Sequence, residues 1–276
     1  MNTESNKNLH LFRKQPERNF MLDRIKIDQM IYICRTAGIT ILDIYEQDIE
    51  VEVKNDFSPL TQADRKSNQI ILDFLKKNYP DIPFISEETK QTPYEERKNW
   101  EYFWLIDPLD GTKEFIKKNG EFTINVALVH RNTPVFGIVY IPVKNTGYFA
   151  FKGQGSYKFT NENKTVKISA KPLPQSGKLV IMGSRSHGGA ELEKFVEEKR
   201  KKYDVEFISA GSALKICLVA EGLADMYPRT GPTMEWDTAA GQIIAEESGK
   251  KVLVFNSENP LLYNKENLLN PMFIVT

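Results

Sequence analysis

No stretch of the 276-residue chain restricts its fold as tightly as Trp104-Leu105-Ile106-Asp107-Pro108-Leu109-Asp110-Gly111-Thr112-Lys113-Glu114-Phe115. It opens as an apolar run with strand character, Tyr102 to Ile106. The run is predicted to stop at Asp107-Pro108, because proline has no N–H and does not continue a central ladder. Asp110-Gly111 is turn chemistry. Two carboxylates, three residues apart, therefore stand on a tight turn at the carboxyl end of a buried strand. Hard divalent cations such as Mg2+ take oxygen ligands. Asp107 and Asp110 supply carboxylates, the Leu109 carbonyl lies between them, and Gly111 and Thr112 add N–H groups and a hydroxyl suited to a phosphate or a water.

Alone, Asp-Pro-x-Asp-Gly reads equally as a surface turn. Two further acidic signals change its meaning. Upstream, the short apolar segment Pro83-Phe84-Ile85 ends in Ser86-Glu87-Glu88. Downstream, Glu235-Trp236-Asp237-Thr238-Ala239-Ala240-Gly241 places Asp237 just before a helical run, where an aspartate by itself reads as an N-cap. All three signals fall where a strand or loop ends, the position at which α/β proteins hold ligand groups.

Composition narrows the function class. Lys plus Arg and Asp plus Glu balance at 37 each, which argues against a nucleic-acid polymer or a broad membrane surface as partner. A phosphate substrate must then be held by a local site. Cys34 and Cys217 sit in apolar helical patterns and read as free thiols in a reducing compartment. The three histidines, His10, His130 and His187, have no metal-ligand spacing. No stretch has the apolar length of a membrane span, and residues 1–20 lack the apolar core of a secretory signal. The expected location is cytoplasmic, with peripheral contact with a membrane left open.

Taken in order, residues 1–20 read as a flexible extension. Apolar residues at helical spacing predict a helix from Asp23 to Tyr45 and another from Ser58 to Asn78, with Asp64 in its first turn. A short strand is expected over Ile49–Lys54. After the central motif, strands are expected over Phe122–Val129 and Val135–Ile141, joined through Arg131-Asn132-Thr133-Pro134 as a hairpin. Tyr148–Phe151, Ser156–Phe159 and Thr165–Ile168 continue an antiparallel sheet. Lys171-Pro172-Leu173-Pro174 is the best linker candidate. Beyond it strands and helices alternate: strands at Leu179–Met182, Val205–Ile208 and Val252–Phe255, and helices at Ala190–Lys201, Ser212–Gly222 and Asp237–Ser248. That is an α/β layout. The chain thus divides into an α+β metal-binding half, 21–172, and an α/β substrate-binding half, 173–276, forming one catalytic unit. In the second half, Gly183-Ser184-Arg185-Ser186-His187 suits an anion at a helix start. Taken singly, Ser212 reads as a helix cap, Lys215 as a solvated lysine and Arg229 as a surface charge on a Tyr227-Pro228-Arg229 turn, each with a substrate contact as the equal alternative.

Ser86-Glu87-Glu88, Asp107-Pro108-Leu109-Asp110-Gly111-Thr112 and Trp236-Asp237-Thr238-Ala239-Ala240 together resemble the Mg2+-dependent, Li+-sensitive phosphatases related to inositol monophosphatase. Lys113-Glu114-Phe115 and Asn119-Gly120-Glu121-Phe122-Thr123 are similar to the CysQ branch, the 3'(2'),5'-bisphosphate nucleotidases. The resemblance runs from about Met21 to the C terminus. It implies the layered αβαβα sandwich of the inositol monophosphatase and fructose-1,6-bisphosphatase type, with the site between the halves. It also implies two or three Mg2+ ions held by Glu87, Asp107, the Leu109 carbonyl, Asp110 and Asp237, and inhibition by Li+. Asp64 and Thr112 would orient the attacking water, with Glu87 beside them. Gly111, Thr112, Lys113, His187, Ser212, Lys215, Arg229 and Asp237 would line the substrate side. The implied reaction is hydrolysis of the 3'-phosphate of 3'-phosphoadenosine 5'-phosphate (PAP) to AMP, extending to its sulfated form PAPS, by a monomer or homodimer. An inositol or sugar phosphatase of the same superfamily, and a non-catalytic nucleotide-binding regulator, are the alternatives.

Overall fold

The computed structural model describes residues 20–46, 51–53, 59–162, 164–183 and 189–276. His187, the rest of the Ser184–Ser186 loop and the N-terminal extension lie outside the described residues, as does most of the segment flanking the strand expected over Ile49–Lys54. The helical period at the start of the chain folds as α1 (Phe20–Arg24) and α2 (Ile27–Tyr45), not as one helix. α2 buries Met30, Ile33, Cys34, Ala37, Ile41 and Ile44, the one-face spacing of an amphipathic helix. β1 (Val51–Val53) and β2 (Pro59–Thr61) pair antiparallel, so α3 (Gln62–Asn78) begins later than Ser58. There follow β3 (Phe84–Ser86), α4 (Tyr94–Arg97), β4 (Tyr102–Asp110), α5 (Thr112–Ile116), β5 (Thr123–His130), β6 (Thr133–Ile141), β7 (Thr146–Phe151), β8 (Gly155–Phe159) and β9 (Thr165–Ile168).

Strands β3 to β9 form one sheet in sequence order. β3 and β4 are parallel and every later neighbour is antiparallel. Side chains alternate across it. Trp104 and Ile106 face a core shared with α2 and α3, whereas Phe103 and Leu105 face a second core on the opposite side. That second core is closed by helices of the C-terminal part, whose elements are β10 (Lys178–Gly183), α6 (Ala190–Arg200), β11 (Asp204–Ser209), α7 (Leu214–Ala220), β12 (Tyr227–Arg229), α8 (Glu235–Glu247), β13 (Val252–Val254) and β14 (Phe273–Val275). β10 and β11 pair in parallel, β12, β14 and β13 form an antiparallel set, and a bridge between Ile181 and Met226 joins the two. α6 packs on the far face through Leu192 and Val196. The layers are α2/α3, the seven-stranded sheet, α7/α8, the smaller sheet and α6, an αβαβα sandwich.

α8 lies very close to the large sheet. A Cβ on Gly137 of β6 would stand 2.6 Å from the Ala240 carbonyl oxygen and 2.8 Å from its Cα. No side chain fits between them, which keeps Ala240 small; Gly241 instead makes room for Ile216 of α7, whose Cδ1 would stand 2.9 Å from a Cβ placed there.

Three further expectations change. The strand does not end at Asp107: pairing with β5 skips between Asp107 and Asp110 and resumes at Asp110 opposite Thr123. A β-bulge thus accommodates Pro108, whose missing N–H has no ladder partner to satisfy. Tyr227-Pro228-Arg229 is a strand, not a turn, because β14 pairs with it. The helix expected from Ser212 starts at Leu214, since Ser212 adopts a left-handed φ of 46°.

Candidate active site

The bulge in β4 separates Asp107 from Asp110, which stay close enough for the Asp110 charge to act on Asp107. Asp107 is 1% exposed. Its Oδ1 accepts the Leu109 N–H at 3.1 Å, and its Oδ2 is buried without a hydrogen-bond partner. α3 braces the loop from below, where Ser67 Oγ donates to the Pro108 carbonyl at 2.7 Å. Asp64, one turn earlier on that helix, is equally buried. Gly111 caps α5 with a φ of 93°, a conformation that favours glycine. Thr112 Oγ1 reaches back to the Leu109 carbonyl at 3.5 Å. Glu87 follows β3 directly and its N–H donates to the Ile106 carbonyl. Ser86 Oγ is fixed by Asn68 Oδ1 at 2.7 Å.

Asp237 enters from the other side. It is not an N-cap: it stands at the third position of α8, and its Oδ2 accepts the Met234 N–H at 2.8 Å. One oxygen of Asp107, Asp110 and Asp237 is thus tied back by a backbone N–H. Carboxylate oxygens of Glu87, Asp107 and Asp237 all lie within 4.8 Å of one another.

This crowding has an electrostatic signature. Burial, then the charges of Glu87, Asp110, Asp237 and Asp64, push the Asp107 carboxyl well above the usual carboxylate range. Asp237 keeps some surface open to the cavity, yet burial and then Asp110 and Glu87 raise it strongly as well. For Asp110 burial also raises the carboxyl, against the pull of Lys215, the Ala213 N–H and Asn125. An all-oxygen, acid-rich set with an orphaned buried Oδ2 fits a hard divalent cation.

Asp110 also joins the acidic cluster to the cationic side. Its Oδ2 accepts the Ala213 N–H at 2.6 Å and Asn125 Nδ2 at 3.3 Å. Beyond Ala213 lies a cavity of about 130 Å3 lined by Asp110, Gly111, Ser212, Lys215, Arg229 and Asp237, among others. Lys215 is 5% exposed and donates to the carbonyls of Ala210 and Ser212. It is not the solvated lysine that its place in the sequence suggests. Burial is the main cause that lowers its ammonium pKa to about 8, opposed by Asp110. Arg229 Nη2 donates to the Pro232 carbonyl at 2.9 Å, and its Nε is buried without a partner.

Glu87, Asp107 and Asp237 come together, with Asp110 and Asp64 close enough to act on Asp107 electrostatically. Ser212, Lys215 and Arg229 share the cavity with Asp110 and Asp237. Lys113 is exposed on α5 and stands apart from the cavity-lining residues. Sequence reasoning missed Asn125, which is 1% exposed and held by Thr123 Oγ1. It also gave no role to Glu114, Glu121 or Tyr227. A lone polar residue inside the apolar run Ile124–Val129 was the one signal for Asn125.

The chain matches the inositol monophosphatase family over residues 26–272. It is 42% identical over 253 residues to the 3'(2'),5'-bisphosphate nucleotidase CysQ of Escherichia coli (strain K12), covering 91% of this chain and 99% of the relative. Among solved structures it resembles CysQ from Bacteroides thetaiotaomicron at 44% identity and a TM-score of 0.80, covering 91% of this chain and 97% of the other. An IMPase of Thermotoga maritima aligns at 26% identity and a TM-score of 0.72, covering 91% of each chain. An oxygen-ligand cluster on a bulged strand, in an αβαβα sandwich matched across nearly all its length, makes this chain a member of the inositol monophosphatase family.

Proposed function

We propose that the chain is a Mg2+-dependent 3'(2'),5'-bisphosphate nucleotidase that hydrolyses the 3'-phosphate of PAP to AMP and phosphate, and PAPS correspondingly. The observation that carries this reading is the shared cavity: Asp110 and Asp237 of the acidic side and Lys215 and Arg229 of the cationic side line one space. A substrate with a second phosphate needs charge compensation away from the metals, and an inositol monophosphate needs far less.

In this reading Glu87, Asp107, the Leu109 carbonyl, Asp110 and Asp237 hold two or three ions. Held there, Mg2+ would supply an acidified water and positive charge for the phosphoryl and leaving oxygens. Asp64 and Thr112 orient the water and take its proton, with Glu87 at the same edge. Gly111 and Thr112 hold the phosphate by their N–H groups. Ser212, Lys215 and Arg229 take the nucleotide side, together with His187. No covalent phospho-enzyme forms. The halves 21–172 and 173–276 act as one unit, monomeric or paired with a second copy. Cys34 and Cys217 are both buried and free, which agrees with a reducing, cytoplasmic location. Among the described residues no helix is long and apolar enough to cross a membrane.

Phosphate release from PAP and from inositol 1-phosphate, each with Mg2+, without it and with added Li+, tests the proposal. The expected result is Mg2+-dependent, Li+-inhibited turnover that favours PAP. A preference for inositol 1-phosphate would assign the chain to the inositol phosphatases, and no turnover of either would favour a binding protein.

A further inference from the structure

Glu121 lies outside the acidic cluster, on the turn between α5 and β5, but it grips the loop that leads into α7. Its Oε2 accepts the Gly211 N–H at 2.8 Å, and its carbonyl accepts Ser212 Oγ at 3.1 Å. A Cβ on Gly211 would stand 2.5 Å from the Glu121 carbonyl oxygen and 2.9 Å from the Glu121 Cβ. The two segments therefore meet backbone to backbone.

The clasp holds an unusual conformation. Ser212 has a φ of 46°, a left-handed backbone that a residue with a Cβ adopts only where its surroundings enforce it. In that conformation the Ser212 carbonyl accepts Lys215 Nζ at 2.7 Å, and the Ala210 carbonyl accepts it at 3.2 Å. An ammonium has three N–H donors. Two are taken by the loop, which leaves one for the cavity that Lys215 lines. The direction of that donor depends on where the carbonyls of residues 210 and 212 point. Two carboxylates pin the loop. Asp110 holds Ala213; the Glu121 carboxylate holds Gly211, and the Glu121 backbone carbonyl holds Ser212.

We infer that Glu121 is a positioning residue that sets the Lys215 ammonium, through Gly211 and Ser212, for the second phosphate of a nucleoside bisphosphate. It thereby fixes the selectivity for bisphosphate over monophosphate. This rests on the proposed nucleotidase reading and adds to it a residue outside the clustered carboxylates Glu87, Asp107 and Asp237.

The test compares adenosine 3',5'-bisphosphate with adenosine 3'-monophosphate, which presents the same scissile group without the second phosphate. Glu121→Ala is expected to raise KM for the bisphosphate about tenfold with kcat within about twofold, the loss of roughly one well-placed charge-assisted hydrogen bond. Selectivity between the two substrates falls by the same factor. Glu121→Gln keeps an oxygen acceptor for the Gly211 N–H and is expected to restore most of it. If Glu121→Ala does not fold, Glu121→Asp, which keeps the charge but draws the carboxylate back from the Gly211 N–H, carries the same expectation. An equal fall in kcat/KM for both substrates, or an unchanged selectivity, overturns the inference while leaving the nucleotidase reading intact. A wild-type enzyme indifferent to the second phosphate overturns both.

Discussion

Asp107 has a buried, unpartnered oxygen and four acidic neighbours that raise its carboxyl, so its charge is costly until a cation arrives. Its folded-state carboxyl titrates above its unfolded value. The folded protein therefore binds more protons in the window above about pH 4, and metal-free stability falls as pH rises through that window. Asp107→Asn removes the charge at nearly constant shape. The metal-free variant is expected to melt higher than wild type at neutral pH, by the equivalent of about 1 kcal/mol or more. Its stability should decline less with rising pH, and added Mg2+ should shift its melting temperature little. Its kcat/KM should fall at least about a thousandfold. Melting curves at pH 5 and pH 7.5, with and without Mg2+, check the first three, and a wild type whose melting point ignores Mg2+ would refute the account.

Between elements, the separation of Asp107 from Asp237 is set where α8 rests on β6. Gly137→Ala forces a methyl group into the Ala240 backbone. Overpacking of that kind costs about 1–3 kcal/mol, and the strain falls on the helix that carries Asp237. The expected result is a lower melting temperature together with a several-fold higher Mg2+ requirement, read from Mg2+ titrations of activity at a fixed substrate concentration. The strand that makes this contact was legible because Val135–Ile141 is a short apolar run after turn residues. β14 was not: Phe273-Ile274-Val275 is three residues long, and only its two partners make it a strand. Tyr227-Pro228-Arg229 carries turn chemistry and is a strand for the same tertiary reason. The acidic cluster could be read because its carboxylates sit in compact motifs. The Glu121 clasp could not, because Glu121 and Ser212 are 91 residues apart. No local pattern announces a backbone carbonyl as the acceptor.

Across the whole molecule, one core runs from Ile85, Phe103 and Val139 of the large sheet to Ile243 and Val275 near the C terminus, so the two halves share their packing. The site lies where they meet, and Asp110 belongs to both sides at once. One of its oxygens is held by Ala213, on the loop before α7, while its charge acts on Asp107 and Asp237. A ligand shared in this way cannot register one guest without altering its grip on the other. By thermodynamic reciprocity, whatever factor Mg2+ adds to the affinity for AMP, AMP must add to the affinity for Mg2+. Calorimetric titrations of each in the absence and presence of the other are expected to give a common factor of about five or more; a factor of one would mean that Asp110 transmits nothing. Filling order would then become a property of the cell's magnesium supply: where the ion is scarce, the nucleotide itself would help recruit it.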